Sequence, residues 1–232
     1  MGDTVQILTD RQDAGRRLAR ELSKYGGRDD TMVLGLPRGG VVVAFEVAQA
    51  LDAPLDVFLV RKLGAPGQEE LAVGAIASGG IRVMNEDVVR ALHLTESQIE
   101  AIAVREQAVL ERRERLYRGH SEPLELAGKV VILVDDGLAT GASMRTAIRS
   151  LKSHAPARVV VAVPTAPPET CAALGREVDE TVCVMTPEPF YSIGSWYLDF
   201  SQTTDEEVVE LLEKAKSFGQ GGATPAIGED TH

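Results

Sequence analysis

Two adjacent carboxylates follow an apolar run near the middle of the chain. Residues 131–134 (VILV) have the length and composition of a buried strand, and Asp135 and Asp136 come directly after it. In α/β proteins, ligands bind beyond the carboxyl ends of the strands. Carboxylates there can accept hydrogen bonds from ribose hydroxyls, and strand alternation predicts that these two side chains point apart.

The residues after Leu138 have the composition of a phosphate-binding loop. They are small or hydroxylated and stand at the start of a predicted helix: Ala139, Thr140, Gly141, Ala142 and Ser143. Backbone N–H groups and the helix dipole both favour an anion at such a position. The glycine spacing and lysine of a Walker motif are missing. An anion site beside two carboxylates suits a ribose 5-phosphate.

Apolar periodicity predicts the elements that position these residues. The predicted strands alternate with helices and lie at 31–36, 55–61, 129–134, 158–163 and 180–185. The predicted helices lie at 10–24, 41–51, 142–153, 169–174 and 205–216. This alternation is typical of a parallel sheet covered by helices.

Three further segments interrupt the alternation. Residues 62–67 contain glycines and a proline, which favour a loop. Two short strands at 72–78 and 81–85 flank Gly79-Gly80, a hairpin signal. Residues 86–120 are predicted to be a helical insertion, in which Thr95 and Gln98 have the spacing of a capping box.

The second half of the insertion, 105–118, is locally basic in an acidic chain. A solvated face of paired charges is the simplest interpretation. A lid, a dimer contact and a surface for an anionic ligand are the alternatives.

Charge and composition limit the partners. The chain of 232 residues has 24 basic and 35 acidic side chains and a net charge of -11, the wrong sign for nonspecific nucleic-acid binding. No stretch approaches the about 18 to 20 apolar residues that cross a bilayer, and the N-terminus lacks a signal-peptide pattern. We therefore expect a cytoplasmic protein without a membrane partner. Cys171 and Cys183 are interpreted as small apolar side chains.

Taken together, residues 131–143 resemble the signature of the type I phosphoribosyltransferases: an apolar strand, two acidic residues and a small/Thr/Gly loop. One residue departs from that pattern, because Gly137 stands where the family usually has an apolar residue. The chain is most similar to a group of bacterial phosphoribosyltransferases of unassigned substrate. The shared segments are GLPRGGV at 35–41, RKLGAPG at 61–67 and ELAVGA at 70–75.

The resemblance implies a flavodoxin-like parallel sheet flanked by helices, with a β-hairpin arm, the helical insertion and a C-terminal hood at 186–204. One phosphoribosyltransferase domain then covers 1–217, and the small, polar residues 218–232 are predicted to be a disordered tail. Whether the protein forms a homo-oligomer is left open.

The resemblance also assigns roles to other residues. The pyrophosphate group is expected to contact residues with close-approaching backbone or positive charge: Pro37, Arg38, Gly39, Gly40, Arg61 and Lys62. Such enzymes often have a cis non-proline peptide in the first of these loops, and residues 64–70 resemble a mobile catalytic loop.

In the hood, the aromatic residues Phe190, Tyr191 and Trp196 are candidates to bind the base, and Asp199 is a candidate to bind metal. The lysine that reads a purine oxo group in the hypoxanthine-guanine branch is replaced by a Val-Pro-Thr stretch, which argues against a 6-oxopurine.

The implied activity is that of a pentosyltransferase that needs phosphoribosyl pyrophosphate (PRPP) and Mg²⁺, the metal being held chiefly by substrate oxygens. Its substrates are PRPP and a nucleobase-like acceptor. Asp135 and Asp136 would be the catalytic residues. A non-catalytic regulator that senses PRPP and a hydrolase that uses water as acceptor are the alternatives.

Overall fold

A five-stranded parallel sheet forms the centre of the computed structural model, which describes residues 7–119 and 124–219. Its strands are β1 (Thr31–Gly35), β2 (Leu55–Val57), β6 (Val130–Val134), β7 (Arg158–Thr165) and β8 (Glu180–Met185). They lie in the order β2-β1-β6-β7-β8, and all neighbours are parallel. The central strand β6 is buried on both faces, which explains its unbroken apolar sequence.

Helices cover both faces of this sheet. They are α1 (Arg11–Glu21) and α2 (Gly39–Leu51) on one face and α5 (Ala142–Lys152) and α6 (Pro168–Leu174) on the other. Alternate residues of β6 enter two separate cores, with Ile132 packed among residues of α1 and α2 and Leu133 among residues of α5. The predicted parallel sheet flanked by helices is confirmed.

A second, antiparallel sheet extends from β2. It consists of β3 (Val60–Ala65), β4 (Gln68–Ala77) and β5 (Ile81–Met84). The prediction of a single strand at 55–61 is therefore wrong, because the chain leaves one sheet after β2 and enters another. The prediction of a loop at 62–67 is also wrong for most of its length, since residues 62–65 pair with β4. Backbone pairing outweighs the glycine signal there.

The tight turns of this sheet depend on glycine. A Cβ on Gly64 would lie 2.5 Å from the Glu69 carbonyl oxygen, at a point where the β3–β4 register shifts. Gly79 and Gly80 have φ values of 80° and 74° between β4 and β5, as the hairpin signal predicts.

The insertion forms α3 (Glu86–Ala91) and α4 (Glu96–Arg118), and a final helix α7 (Asp205–Ala215) packs beside α4. The capping box of Thr95 and Gln98 is present. Basic residues of α4 make internal ion pairs, as Arg118 Nε lies 3.1 Å from an oxygen of Asp56. Arg105 is more exposed, at 61%, and its Nε lies 3.1 Å from Glu106 on the same helix.

The hood segment is joined to the start of the described chain. The Leu8 N–H donates to the Trp196 carbonyl, and the Leu198 N–H donates back to the Leu8 carbonyl, each at 2.9 Å. Beyond α7, Phe218 packs on Phe45 with ring centroids 5.4 Å apart. The packed chain thus extends past the predicted boundary at 217, and the rest of the predicted tail lies outside the described residues. No described helix is long and apolar enough to span a membrane.

Cys171 and Cys183 form a disulfide. The interpretation of both as unpaired apolar side chains is therefore wrong. Cys171 lies on α6 and Cys183 on β8, and the packing of this helix against the edge strand brings their Cα atoms to 6.6 Å. Their separation of 12 residues carried no sequence signal of pairing.

Candidate active site

The two adjacent carboxylates lie at the carboxyl end of β6. Asp135 Oδ1 accepts the Asp136 backbone N–H at 2.9 Å, and Asp136 Oδ2 accepts the Arg11 Nε–H at 2.7 Å. The carboxyl groups interact directly with each other, so the prediction that they point apart is wrong. Both residues follow the last residue of β6, where strand alternation no longer applies.

Burial and mutual repulsion disfavour the charged forms of this pair. Burial raises the pKa of Asp135 well above its usual range, and the negative charge of Asp136 raises it further. Burial also raises the pKa of Asp136, while the hydrogen bond and charge of Arg11 act in the opposite direction. The pair therefore retains a proton at a higher pH than an exposed carboxyl group does.

The loop after β1 lies directly against these carboxylates. The Pro37–Arg38 peptide bond is cis, as the family resemblance implies. A Cβ on Gly39 would collide with the Asp136 carboxylate, and one on Gly40 would lie 2.9 Å from the Asp135 Cα. Glycine at both positions is what allows the loop to approach β6 so closely.

These segments border one cleft with a volume of about 370 Å³. Its lining comes from α1, the loop after β1, the end of β6 and the hood: Arg11, Pro37, Arg38, Gly39, Asp135, Asp136, Ile193, Phe200, Gln202 and Thr203. The structure thus brings the predicted catalytic carboxylates and three of the predicted pyrophosphate residues together.

The predicted 5-phosphate loop lies between β6 and α5. Gly141 has a φ of 72° at the start of α5, and Thr140 and Ser143 are exposed. The Thr170 hydroxyl donates to the Ala139 carbonyl at 2.9 Å, and Arg145 Nη1 donates to the Thr140 carbonyl at 2.8 Å. The protein therefore engages the Ala139 and Thr140 carbonyls, while most of the loop is exposed to solvent.

Arg61 and Lys62 lie on β3, and neither is among the described residues that line the cleft. The Arg61 guanidinium donates to Glu106 Oε2 on α4, with its Nε at 2.7 Å. The Glu106 side chain is 9% exposed. Arg61 is therefore directed toward the insertion in this structure, and the Lys62 side chain is exposed.

The predicted base-binding aromatics do not line the cleft either. Tyr191 is 83% exposed, and Phe190 and Trp196 stack on each other with centroids 6.3 Å apart. Ile193 and Phe200 from the same segment occupy the cleft instead. Asp199 lines an adjacent cleft of about 210 Å³ and accepts the Ser201 N–H, which lowers its pKa.

Residues 3–184 of the chain match the family model described as Phosphoribosyl transferase domain. The chain belongs to the phosphoribosyl transferase family. The predicted resemblance is confirmed.

Relatives of this chain support the family assignment. The chain is 44% identical over 226 residues to a Mycobacterium tuberculosis protein, Putative phosphoribosyl transferase Rv0571c of strain H37Rv, and to MT0597 of strain CDC 1551. That match covers 97% of this chain and 51% of the relatives, so the chain spans about half their length. The crystal structure of TT1426 from Thermus thermophilus is similar with a TM-score of 0.80 and 44% identity, over 90% of this chain and 98% of that one.

Mg²⁺ is the metal that the family implies, and the side chains of the cleft fit a metal held mainly by substrate. Asp135 and Asp136 supply hard carboxylate oxygens in the same cleft as residues 37–39. Within residues 7–119 and 124–219 no group of three or more His, Cys, Asp or Glu side chains could hold a metal. Mg²⁺ is commonly bound by one or two carboxylates together with substrate phosphates.

Sequence reasoning missed two residues that hydrogen-bond to Asp136, Arg11 through the carboxylate and Tyr197 through the backbone carbonyl. Arg11 reaches Asp136 from 125 positions away, and no motif marks it. The Tyr197 hydroxyl donates to the Asp136 carbonyl at 2.6 Å. Burial raises the pKa of Tyr197, which keeps this hydroxyl protonated as a donor. The aromatic composition of residues 190–200 marked this segment as a candidate for binding, but it did not distinguish Tyr197 from its neighbours.

Proposed function

We propose that this protein transfers the 5-phosphoribosyl group of PRPP to a nitrogen of a nucleobase-like acceptor and releases pyrophosphate. The observation that supports it most is the pair of half-buried carboxylates that shares a cleft with residues 37–39 and stands one short segment before the exposed loop at 139–143. A ligand with a 5-phosphate, two ribose hydroxyls and a pyrophosphate needs one loop for the phosphate, carboxylates for the hydroxyls and a second loop for the pyrophosphate, in that order.

The reaction exchanges one bond at the anomeric carbon for another. The bond to the pyrophosphate oxygen breaks, and its electron pair leaves with pyrophosphate. The lone pair of the acceptor nitrogen forms the new bond, and the nitrogen loses its proton to a base. Positive charge on the sugar and negative charge on the leaving group develop together, so catalysis is mainly electrostatic positioning.

Residues of the cleft supply these functions in our proposal. Asp135 and Asp136 hold the ribose hydroxyls and favour the cationic sugar, and the raised pKa of the pair suits one of them to accept the acceptor proton. The loop at 139–143 binds the 5-phosphate. Arg38, Gly39 and Gly40 bind pyrophosphate, and Mg²⁺, when bound, neutralises charge on the leaving group.

Arg61 and Lys62 stay in the proposal as residues that meet pyrophosphate when the β3–β4 turn moves over the bound substrate. The predicted acceptor-binding residues also stay in the proposal, on the expectation that they too approach the cleft when substrate binds: Phe190, Tyr191 and Trp196. Ile193 and Phe200 are added to them, because these two side chains give the cleft its apolar surface.

The test is release of pyrophosphate from PRPP with Mg²⁺, measured with and without a panel of purines, pyrimidines and other nitrogen acceptors. We expect one acceptor class to stimulate release, and Asp135→Asn and Asp136→Asn to reduce it by at least about 100-fold. Asp87→Asn is the matched control, because that side chain is 90% exposed on α3. Saturable PRPP binding without release for any acceptor would overturn the proposal in favour of a regulator. Ribose 5-phosphate as the product would indicate a hydrolase.

A further inference from the structure

Arg11 joins three segments that are far apart in the sequence. It stands at the start of α1, and its side chain is 12% exposed. Its Nε donates to Asp136 Oδ2 at 2.7 Å and its Nη1 donates to the Ser201 carbonyl at 2.6 Å. The guanidinium carbon also lies 4.0 Å from the centroid of the Phe200 ring. A single cation therefore links the carboxylate pair to the hood.

The backbone at the base of this side chain is fixed to the same hood segment. The Asp199 N–H donates to the Thr9 carbonyl at 2.9 Å, and Asp10 caps α1 by accepting the Asp13 N–H at 2.7 Å. The backbone next to Arg11 is therefore hydrogen-bonded to residues 196–199, and the Arg11 side chain contacts residues 200 and 201. Its guanidinium and the hood have to move together.

Arg11 is also the cation that touches the carboxylate pair. Asp135 adds a second negative charge next to Asp136, and Tyr197 contributes a neutral hydroxyl that donates to the Asp136 carbonyl. Arg38 lines the same cleft but lies 3.9 Å from Asp205 at the start of α7. Asp10 and Asp199 on the other side of Arg11 are acidic. Without Arg11, the pair would lie among further negative charges.

We propose that Arg11 is a positioning residue that holds the Asp136 carboxylate in one orientation and couples it to the position of the hood. This inference rests on the proposed function, since it assigns Arg11 to the same reaction. The planar guanidinium is suited to the task because its donors reach a carboxylate and a carbonyl in different directions at once. A lysine ammonium has the same charge but lacks this fixed planar arrangement of donors.

The test compares kcat, the KM for PRPP and the fluorescence of Trp196, the one tryptophan of the sequence, in the wild type, Arg11→Lys and Arg11→Met. We expect Arg11→Met to lose about 10- to 100-fold in kcat/KM, the effect of removing a charge-assisted hydrogen bond. The Trp196 emission of this variant should also change in the absence of substrate, because the hood loses the hydrogen bond from Arg11 to the Ser201 carbonyl. Arg11→Lys should recover only part of kcat/KM and part of the wild-type emission.

Arg16→Met is the matched control, since Arg16 lies on the same helix, is 53% exposed and is 3.7 Å from Glu46. Its kinetic constants and Trp196 emission should match those of the wild type. Unchanged Trp196 emission in folded Arg11→Met would overturn the inference even if kcat falls, because a loss confined to catalysis shows no coupling to the hood.

The fluorescence measurement separates this inference from the proposed function, because it needs no turnover. If Arg11→Met does not fold, Arg11→Gln provides the uncharged comparison. Emission that changes in the uncharged variant and partly returns in Arg11→Lys supports the inference whether or not PRPP is consumed. Wild-type emission in all variants would overturn it, whereas a wild type that consumes no PRPP would overturn the proposed function alone.

Discussion

Ile193 fills the space above Gly137 in which a side chain at position 137 would stand. A Cβ built on Gly137 would lie 2.5 Å from Ile193 Cγ2 and 3.2 Å from Thr165 Cγ2, and Gly137 has a φ of 157°. Gly137 is the position at which the chain departs from the family pattern, and Ile193 lines the cleft. An apolar side chain from the hood therefore leaves no room for a side chain at position 137.

Gly137→Ala should destabilise the protein and displace the hood. We expect a loss of about 1 to 3 kcal/mol in the free energy of unfolding, the usual effect of overpacking. In the double variant Gly137→Ala/Ile193→Ala the steric part of this loss should disappear, which a double-mutant cycle by chemical denaturation measures. Strictly additive losses would show that the two residues do not compete for this space.

Asp135→Asn should stabilise the protein while abolishing activity. Because the folded state raises the pKa of Asp135, the ionised carboxylate costs stability as pH rises through that pKa, and asparagine removes this cost. The Tm of the variant should exceed that of the wild type by a margin that grows with pH, at about 2 to 4 °C per kcal/mol. Asp87→Asn should show no such margin. A constant Tm difference across pH would contradict the buried-pair interpretation.

The same pair sets the acidic limb of the wild-type activity. Ionised carboxylates are needed to hold the ribose hydroxyls, and protonation of this pair starts at a higher pH than that of exposed aspartates. We therefore expect kcat/KM to fall below a midpoint clearly above the ordinary aspartate pKa of about 3.9. Rates measured with PRPP and the stimulating acceptor across pH give this midpoint, and full activity down to pH 4 would contradict it.

Arg61→Met should distinguish a structural role of Arg61 from a role in pyrophosphate binding. The substitution removes one of the two arginines that contact Glu106, which is 9% exposed, and leaves Arg105 Nε at 3.1 Å. We expect a loss on the order of 1 to 3 kcal/mol, below that of a fully buried pair because Arg61 is 32% exposed. Arg61→Met/Glu106→Met should recover stability. Arg82→Met is the control, as its pair with Glu100 is more exposed.

The KM for PRPP provides the second measurement on these variants. A raised KM that persists in Arg61→Met/Glu106→Met would assign Arg61 to pyrophosphate. A KM that recovers together with stability would assign it to the attachment of α4.

Reduction of the Cys171–Cys183 disulfide should weaken both stability and PRPP binding. We expect a loss of about 2 to 3 kcal/mol in the free energy of unfolding, because the crosslink restricts the unfolded chain. The KM for PRPP should rise, since α6 also carries Thr170, whose hydroxyl holds the Ala139 carbonyl. Thermal unfolding with and without reductant measures the first effect, with Cys171→Ala/Cys183→Ala as the control that reductant should not change. Thiol titration should first establish that both cysteines are reduced. A Tm that is unchanged in that reduced protein would contradict the prediction.

Sequence alone determined the sheet and the carboxylate pair because both depend on local order. The continuous apolar run of β6 is dictated by burial on both faces, and the residues that follow a strand must lie at its carboxyl end. Gly39 and Gly40 could likewise be predicted to lie where the backbone comes close to another segment. The structure shows that segment to be the end of β6, against which only a residue without Cβ fits. These features follow from the properties of neighbouring residues.

Only the tertiary structure decided which distant side chains meet these elements. Arg11 and Tyr197 reach Asp136 across 125 and 61 positions, and no spacing rule relates residues of different elements. The disulfide and the pairing of Arg61 with Glu106 depend in the same way on how α6 and α4 pack. Residues 62–65 became a strand because unpaired backbone groups found partners in β4. Composition predicts which segments are buried, but packing selects the partners that complete the site.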